Sequence, residues 1–177
     1  MEEQILYLVD GFKTPALDRV MSLVSESYPI AIFLVVLYLL YRRNNNVYPL
    51  LLTFFLTLAV STALKMAVTE ARPCSELQIQ YPECDDPLES FPSRHVALAS
   101  TPLTFLIAEM PLFIVYLAYL LLVGFTRVYL GAHYPHDVLA GMIIGIAIGF
   151  VCLKLKGPLN ALIYKIAEKI KVRKYLP

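Results

Sequence analysis

Phe125-Thr126-Arg127-Val128-Tyr129-Leu130-Gly131-Ala132-His133-Tyr134-Pro135-His136-Asp137 joins two long apolar runs, one opening at Pro111 and one running from Val138 to about Leu155. Runs of this kind, continuous rather than alternating, are helices that cross a bilayer. The junction nevertheless carries Arg127, His133, His136 and Asp137. Ionisable groups at a membrane boundary are costly and mark function by default. His133 and Asp137 are four positions apart, a spacing at which the carboxylate reaches the imidazole and fixes its tautomer.

The rest of the composition agrees with a membrane chain. Of 177 residues, 58% are hydrophobic and only 16% charged, with a mean hydropathy of +0.64, far more apolar than a soluble domain. The fold expected is all-α, a polytopic transmembrane helical bundle of about five spans plus amphipathic N- and C-terminal helices, forming one domain over 1–177. No basic tract interleaved with aromatics points to nucleic acid, and the acidic start Met1-Glu2-Glu3-Gln4 is unlike the basic head of a cleavable signal. The partners implied are the bilayer and a membrane lipid; nothing in the sequence sets an oligomeric state.

Thr14-Pro15 is a helix start, a capping hydroxyl followed by proline at the first helical position. It opens an interfacial helix over roughly 14–23, and spans follow over roughly 24–41, 47–71, 95–109, 111–130 and 138–155. Gly157-Pro158 stops the last span, and Leu159, Leu162, Ile163, Ile166 and Ile170 line one face of a basic interfacial helix over about 158–174. Gly141, Gly145 and Gly149 recur every fourth residue, a smooth face for close helix packing inside the bundle.

Five spans put the termini on opposite sides. The side of the Arg42–Asn46 turn and the tail holds nine of the fifteen basic residues and two of the fourteen acids. The positive-inside rule then makes the C-terminus cytoplasmic and the N-terminus, the 72–91 loop and the polar junction extracytoplasmic. On that side Cys74 and Cys84 are expected to pair as a disulfide, closing a loop of about eleven residues worth about 2–3 kcal/mol. Cys152, deep in a span, reads as a packing residue.

Three clusters converge on this side. Lys65 and Arg72 are seven apart, which on a continuous helix puts both cations on one face about 10 Å apart along the axis. Ser93-Arg94-His95 opens the third span, where unpaired backbone N–H groups and the helix dipole suit an anion. Arg127, His133 and Asp137 complete the set. Cations from separate helices around a His–Asp pair suit a multiply charged oxyanion such as phosphate, with imidazole as nucleophile or proton donor. A metal centre built on His95, His133, His136 and Asp137 is the competing chemistry. The cations Lys65, Arg72, Arg94 and Arg127 would repel a metal ion from that centre, so no metal or other cofactor is expected.

Lys65-x6-Arg72-Pro73, Pro92-Ser93-x-His95 and Thr126-Arg127-x5-His133-x3-Asp137 together resemble, in order and spacing, the three-part signature of the type-2 phosphatidic acid phosphatase superfamily. The resemblance runs from the second span to the fifth. It implies that His133 attacks phosphorus to form a phosphohistidine, that Asp137 orients it, and that His95 protonates the leaving oxygen. It also implies that Lys65, Arg72, Ser93 and Arg127 hold the phosphoryl group without a metal. Thr126 stands where the family usually has serine, and Arg94 where many members have glycine.

The function expected is that of an integral membrane lipid phosphatase acting on a polyprenyl diphosphate at the outer leaflet. Arg94, a fourth cation at the mouth, favours a second phosphate group unless it pairs with Asp85, Asp86 or Glu89. Phosphatidate or phosphatidylglycerophosphate are alternative substrates, lipid phosphotransfer an alternative reaction, and a non-catalytic membrane scaffold the alternative class. His136 falls outside the signature.

Overall fold

A computed structural model describes residues 2–77 and 89–169. All regular structure in them is helical: α1 (Glu2–Asp10), α2 (Pro15–Glu26), α3 (Tyr28–Tyr41), α4 (Val47–Ala67), α5 (Pro73–Glu76), α6 (Arg94–Ser100), a 3-10 turn (Leu103–Phe105), α7 (Met110–Tyr129), α8 (Pro135–Lys154) and α9 (Lys156–Lys169). Four stretches are long and apolar enough to cross a membrane: Pro15–Tyr41, Val47–Ala67, Met110–Tyr129 and Pro135–Lys154. Large apolar side chains such as Phe33, Leu37, Phe55, Ile114, Val115 and Ile143 point out of the bundle, as lipid-facing residues do. The protein is a multi-pass membrane helical bundle.

The first crossing absorbs the expected interfacial helix. Thr14 Oγ1 caps α2 by accepting from Leu17 N at 3.2 Å, and α2 runs into α3 with a break at Ser27, ahead of Pro29. The tail helix begins at Lys156 rather than at Pro158, which falls within its first turn. It is fastened to the Arg42–Asn46 turn by Tyr164 Oη, 2.7 Å from Asn45 Oδ1.

The segment expected as a third span over 95–109 is not one helix. α6 ends at Ser100, Thr101-Pro102 intervenes, and the 3-10 turn follows, because proline cannot continue the hydrogen-bond ladder. The segment still passes from end to end of the bundle: Arg94 lies at the α4 C-terminal end, and Glu109 lies 3.8 Å from Arg42 at the other. Every residue from Val96 to Leu106 is buried. Irregular backbone at membrane depth survives only when protein shields it from lipid, and α3, α4, α7 and α8 supply that shield.

The tightest part of the shield is the α6–α8 contact. A Cβ on Gly141 would lie 2.4 Å from Ser93 O, and one on Gly145 would lie 2.0 Å from Ser100 Oγ and 2.2 Å from Ala97 O. The bare glycine face of α8 thus lies directly against the α6 backbone and holds Ser93 beside Asp137, with Ser93 N donating to Asp137 O at 3.1 Å.

Gly145→Val should cost about 1–3 kcal/mol, the range for an overpacked core. Gly157→Ala, whose Cβ meets nothing within 4 Å, should be neutral or stabilise by up to about 1 kcal/mol. Thermal unfolding in detergent compares them, and equal midpoints for the two variants would refute the close α6–α8 contact.

Candidate active site

The buried end of the bundle is built around Asp137, in the first turn of α8 and fully inaccessible. Pro135, with its fixed φ, starts that helix. Asp137 Oδ2 accepts from Ser90 Oγ at 2.6 Å and from Tyr134 N at 2.9 Å, and lies 3.5 Å from His133 Nδ1. His133 is 1% exposed. With Nδ1 turned to Asp137, Nε2 faces away from it. Burial holds the His133 imidazole down to about 3, and the charges of Arg127 and Lys65 push the same way against the raising effect of Asp137. The ring is therefore neutral at pH 7.

The short connection between α7 and α8 positions this ring. Gly131 adopts the left-handed conformation, φ 64°, that ends α7. Its carbonyl accepts from Cys74 N at 3.1 Å, tying the connection to α5. The other half of the expected bridge, Cys84, lies outside the described residues; Cys152 is a free, buried cysteine.

The cations arrive from three elements. Lys65, 3% exposed, donates from Nζ to the carbonyls of Glu89 and Ser90, the latter at 3.0 Å. Arg127, 2% exposed at the end of α7, donates to Ser25 Oγ at 2.7 Å. Arg72 is buried too, but not as expected. α4 stops at Ala67, so Lys65 and Arg72 do not share a continuous helix face. Arg72 has extended backbone, φ −74° and ψ 148°, as the N-cap of α5. The residue before a proline is driven out of the helical region, and Pro73 is that proline.

Ser93 caps α6 by position only. Its Oγ is buried and has no hydrogen-bond partner among the described residues. His95, the second residue of α6, has its Nε2 3.3 Å from Glu26 Oε1 and packs edge-on against Tyr28 at 5.0 Å. Arg72, Arg94, Arg127 and His133 all lie within electrostatic reach of His95. Arg94 is half-buried and makes no ion pair with Glu89; Asp85 and Asp86 lie outside the described residues. All eight residues singled out in the sequence thus gather at one end of the bundle.

His136 does not join them. Its Nδ1 lies 2.8 Å from Glu2 Oε2 and its Nε2 lies 2.9 Å from Glu70 Oε1 and 3.2 Å from Asp137 Oδ1. It faces a separate cavity of about 510 Å³ lined by Glu2, Glu3, Glu70, Glu76 and Tyr134. Burial, and next the Asp137 charge, push the Glu70 carboxyl above its ordinary value. The four residues weighed as metal ligands therefore do not converge: His136 groups with Asp137 and Glu70, not with His95 or His133.

Sequence reasoning missed Ser90, Ser25, Glu26 and Glu70. None has a periodic or motif signal; each becomes visible only through the residue it contacts.

Comparison with known proteins agrees with this geometry. The PAP2 superfamily model matches residues 46–160. Undecaprenyl-diphosphatase of Sulfolobus acidocaldarius is 28% identical over 141 residues, 76% of this chain and 66% of that protein. Glucose-6-phosphatase 3 of Mus musculus is 53% identical over 36 residues, 20% of this chain and 10% of that protein. The chain thus spans just under two thirds of the first relative's length and a tenth of the second's. The crystal structure of Aquifex aeolicus LpxE superposes with a TM-score of 0.70 at 27% identity, covering 85% of this chain and 93% of that one. A PAP2-type phosphatidylglycerolphosphate phosphatase from Bacillus subtilis shares the fold with a TM-score of 0.72 at 24% identity, covering 89% and 85%. The chain belongs to the PAP2 superfamily.

Proposed function

We propose that the protein is an integral membrane lipid phosphatase that cleaves a phosphate monoester or diphosphate of a lipid through a phosphohistidine. The observation that carries this reading is the buried His133, held by Asp137 on Nδ1 with Nε2 turned away from that carboxylate, in the field of Arg127 and Lys65 and at the same end of the bundle as the orphaned Ser93 hydroxyl. An unpaired buried hydroxyl is costly, and a phosphoryl oxygen would satisfy it.

In the first step His133 Nε2 attacks phosphorus, the P–O bond to the lipid breaks, and His95 gives its proton to the departing oxygen. In the second, His95 takes a proton from water, the resulting hydroxide displaces the phosphoryl group from His133, and inorganic phosphate leaves. Asp137 stabilises the charge that the imidazole acquires. Lys65, Arg72 and Arg127, with the Ser93 hydroxyl and the α6 N-terminus, neutralise the phosphoryl oxygens as charge develops. These cations supply what a metal would otherwise supply, so the reaction is proposed to be metal-independent.

A lipid substrate is supported by an apolar groove of about 310 Å³ between α3 and α7, lined by Ala31, Leu34, Tyr38, Val115 and Tyr119 among others. Its Tyr119 end is beside the site, since Tyr119 Oη is 2.8 Å from Ser27 Oγ and Tyr28 packs on His95. The Sulfolobus relative's name and the extra cation Arg94 favour a polyprenyl diphosphate. The charge distribution favours an extracytoplasmic site with the tail in the cytoplasm. The Bacillus structure makes phosphatidylglycerophosphate the second reading.

Phosphate release from a panel of lipid monophosphates and diphosphates tests the reading. His133→Ala should lose at least about 10³-fold activity, and labelled lipid should leave an acid-labile, base-stable phosphoryl group on wild type alone. Release by His133→Ala at the wild-type rate would refute the nucleophile. Arg94→Gly should lose more on diphosphates than on monophosphates; equal losses would remove the diphosphate preference.

A proton balance is expected as well. The unfolded chain protonates His133 as pH falls through 6.5, whereas the native ring resists until about 3, so stability falls with pH across that window. The fall in thermal midpoint between pH 7 and pH 5 should be smaller in His133→Gln. An equal fall in both proteins would show that His133 is not held neutral.

A further inference from the structure

Beside Asp137, at the acidic cavity, three ligand atoms meet: His136 Nε2, Glu70 Oε1 and Asp137 Oδ1, all within 4.8 Å of one another. We propose that Glu70, His136 and Asp137 form a binding site for a divalent transition-metal ion of the zinc class, and that its occupation silences His133.

Four observations carry the site. The donor set, one imidazole and two carboxylates, is the mixture that borderline cations such as Zn²⁺ take with an open fourth position. The spacing fits, since His136 Nε2 lies 2.9 Å from Glu70 Oε1 and 3.2 Å from Asp137 Oδ1. Ligands of a tetrahedral ion lie roughly 3.4 Å apart for bonds of about 2.1 Å, so His136 Nε2 need only move from each carboxylate oxygen by a few tenths of an ångström. Asp137 Oδ1 is buried and makes no hydrogen bond, although its twin Oδ2 is saturated by Ser90, Tyr134 and His133. The oxygen aimed at His136 is thus the one with bonding capacity left.

The fourth observation is the other side of the His136 ring. Its Nδ1 is 2.8 Å from Glu2 Oε2, while its backbone N–H donates to Glu2 Oε1 at 3.2 Å. A carboxylate on Nδ1 holds the proton there and leaves the Nε2 lone pair for a metal, the arrangement that orients most metal-bound histidines. Binding then releases whatever proton Nε2 carried. The adjoining cavity, with Glu2, Glu3, Glu70 and Glu76 in its wall, opens the site to solution and draws cations toward it.

The repulsion expected from Lys65, Arg72, Arg94 and Arg127 applies to the phosphate pocket. Here the ligands border a cavity lined by Glu2, Glu3, Glu70, Glu76, Tyr134 and His136, with none of those cations in its wall. A dication on Oδ1 would cancel the negative charge that Asp137 presents to His133 through Oδ2, and with it the stabilisation of the charged imidazole. The site is inhibitory, not catalytic. Its effect on turnover rests on the function proposed above, whereas metal binding itself does not.

Binding of Zn²⁺, and of Co²⁺ followed by its visible absorption, is measured on the full-length protein in detergent. One ion per chain is expected, with at least tenfold weaker binding in His136→Gln and in Glu70→Gln and unchanged binding in Glu3→Gln. Folding of each variant is checked by its thermal midpoint. No binding to folded wild type, or undiminished binding in both His136→Gln and Glu70→Gln, would overturn the site. Phosphate release should fall at least tenfold with Zn²⁺ in wild type and recover on chelation, and resist in Glu70→Gln. Binding without inhibition would overturn the silencing. Binding in a protein that releases no phosphate from any lipid would leave the site standing and remove the phosphatase reading instead.

Discussion

A single buried carboxylate holds this end of the protein together. Asp137 takes hydrogen bonds from the side chain of Ser90 and the backbone of Tyr134, and its own carbonyl accepts from Ser93 N. Those three residues belong to the loop before α6, the α7–α8 connection and the cap of α6. An isolated carboxylate buried this deeply would be untenable; two donors and a neighbouring imidazole make it tenable. The same contacts that compensate Asp137 therefore fix the His133 ring and bring Ser93 alongside it. Stability and site geometry rest on one group, so neither is separable from the other.

The second constraint is the brevity of α6. Seven residues give a helix of about 10 Å, too short to cross a bilayer, yet its N-terminus must lie at the depth of His133. The chain meets both demands by wrapping the broken segment completely. Val96, Ala97, Ala99 and Ser100 are small enough to let the glycine face of α8 seat on the α6 backbone. Close backbone approach in turn holds the α6 N-terminus against the start of α8, where a flexible site would lose its geometry.

The apolar runs, the caps at Thr14-Pro15 and Pro111, and the gathering of Lys65, Arg72, Ser93, Arg94, His95, Arg127, His133 and Asp137 were legible in the sequence. Hydropathy and residue chemistry are local properties, and three spaced motifs restrict the fold strongly. Two things were not legible. Helix continuity from Lys65 to Arg72 ends at Val68, which is extended, and Pro73 keeps Arg72 extended as well; continuity across 95–109 is broken at Pro102 within the buried 96–106 stretch. The supporting residues were hidden for a different reason. Ser90 bonds Asp137 from 47 positions away, and Glu2 reaches His136 from 134 positions away. No periodicity encodes such a pair; only the folded topology does.

That topology gives this end of the bundle two openings of opposite character. One is the groove between α3 and α7, almost wholly apolar and ending near Tyr28 and His95. The other is the aqueous cavity beside His136, whose wall carries four glutamates. An anionic head group approaching through the second would meet repulsion before it met Lys65 or Arg127, and like charges in a confined cleft are felt strongly. Approaching from the groove, its tail stays in apolar surroundings and the first charges it meets around His95 are mostly cationic, Glu26 being the exception. On the proposed reading, the acidic cavity thus disfavours water-soluble phosphoesters while leaving lipid ones unopposed. Selection for a lipid would then follow from where the negative charges sit as much as from the cations that hold the phosphate.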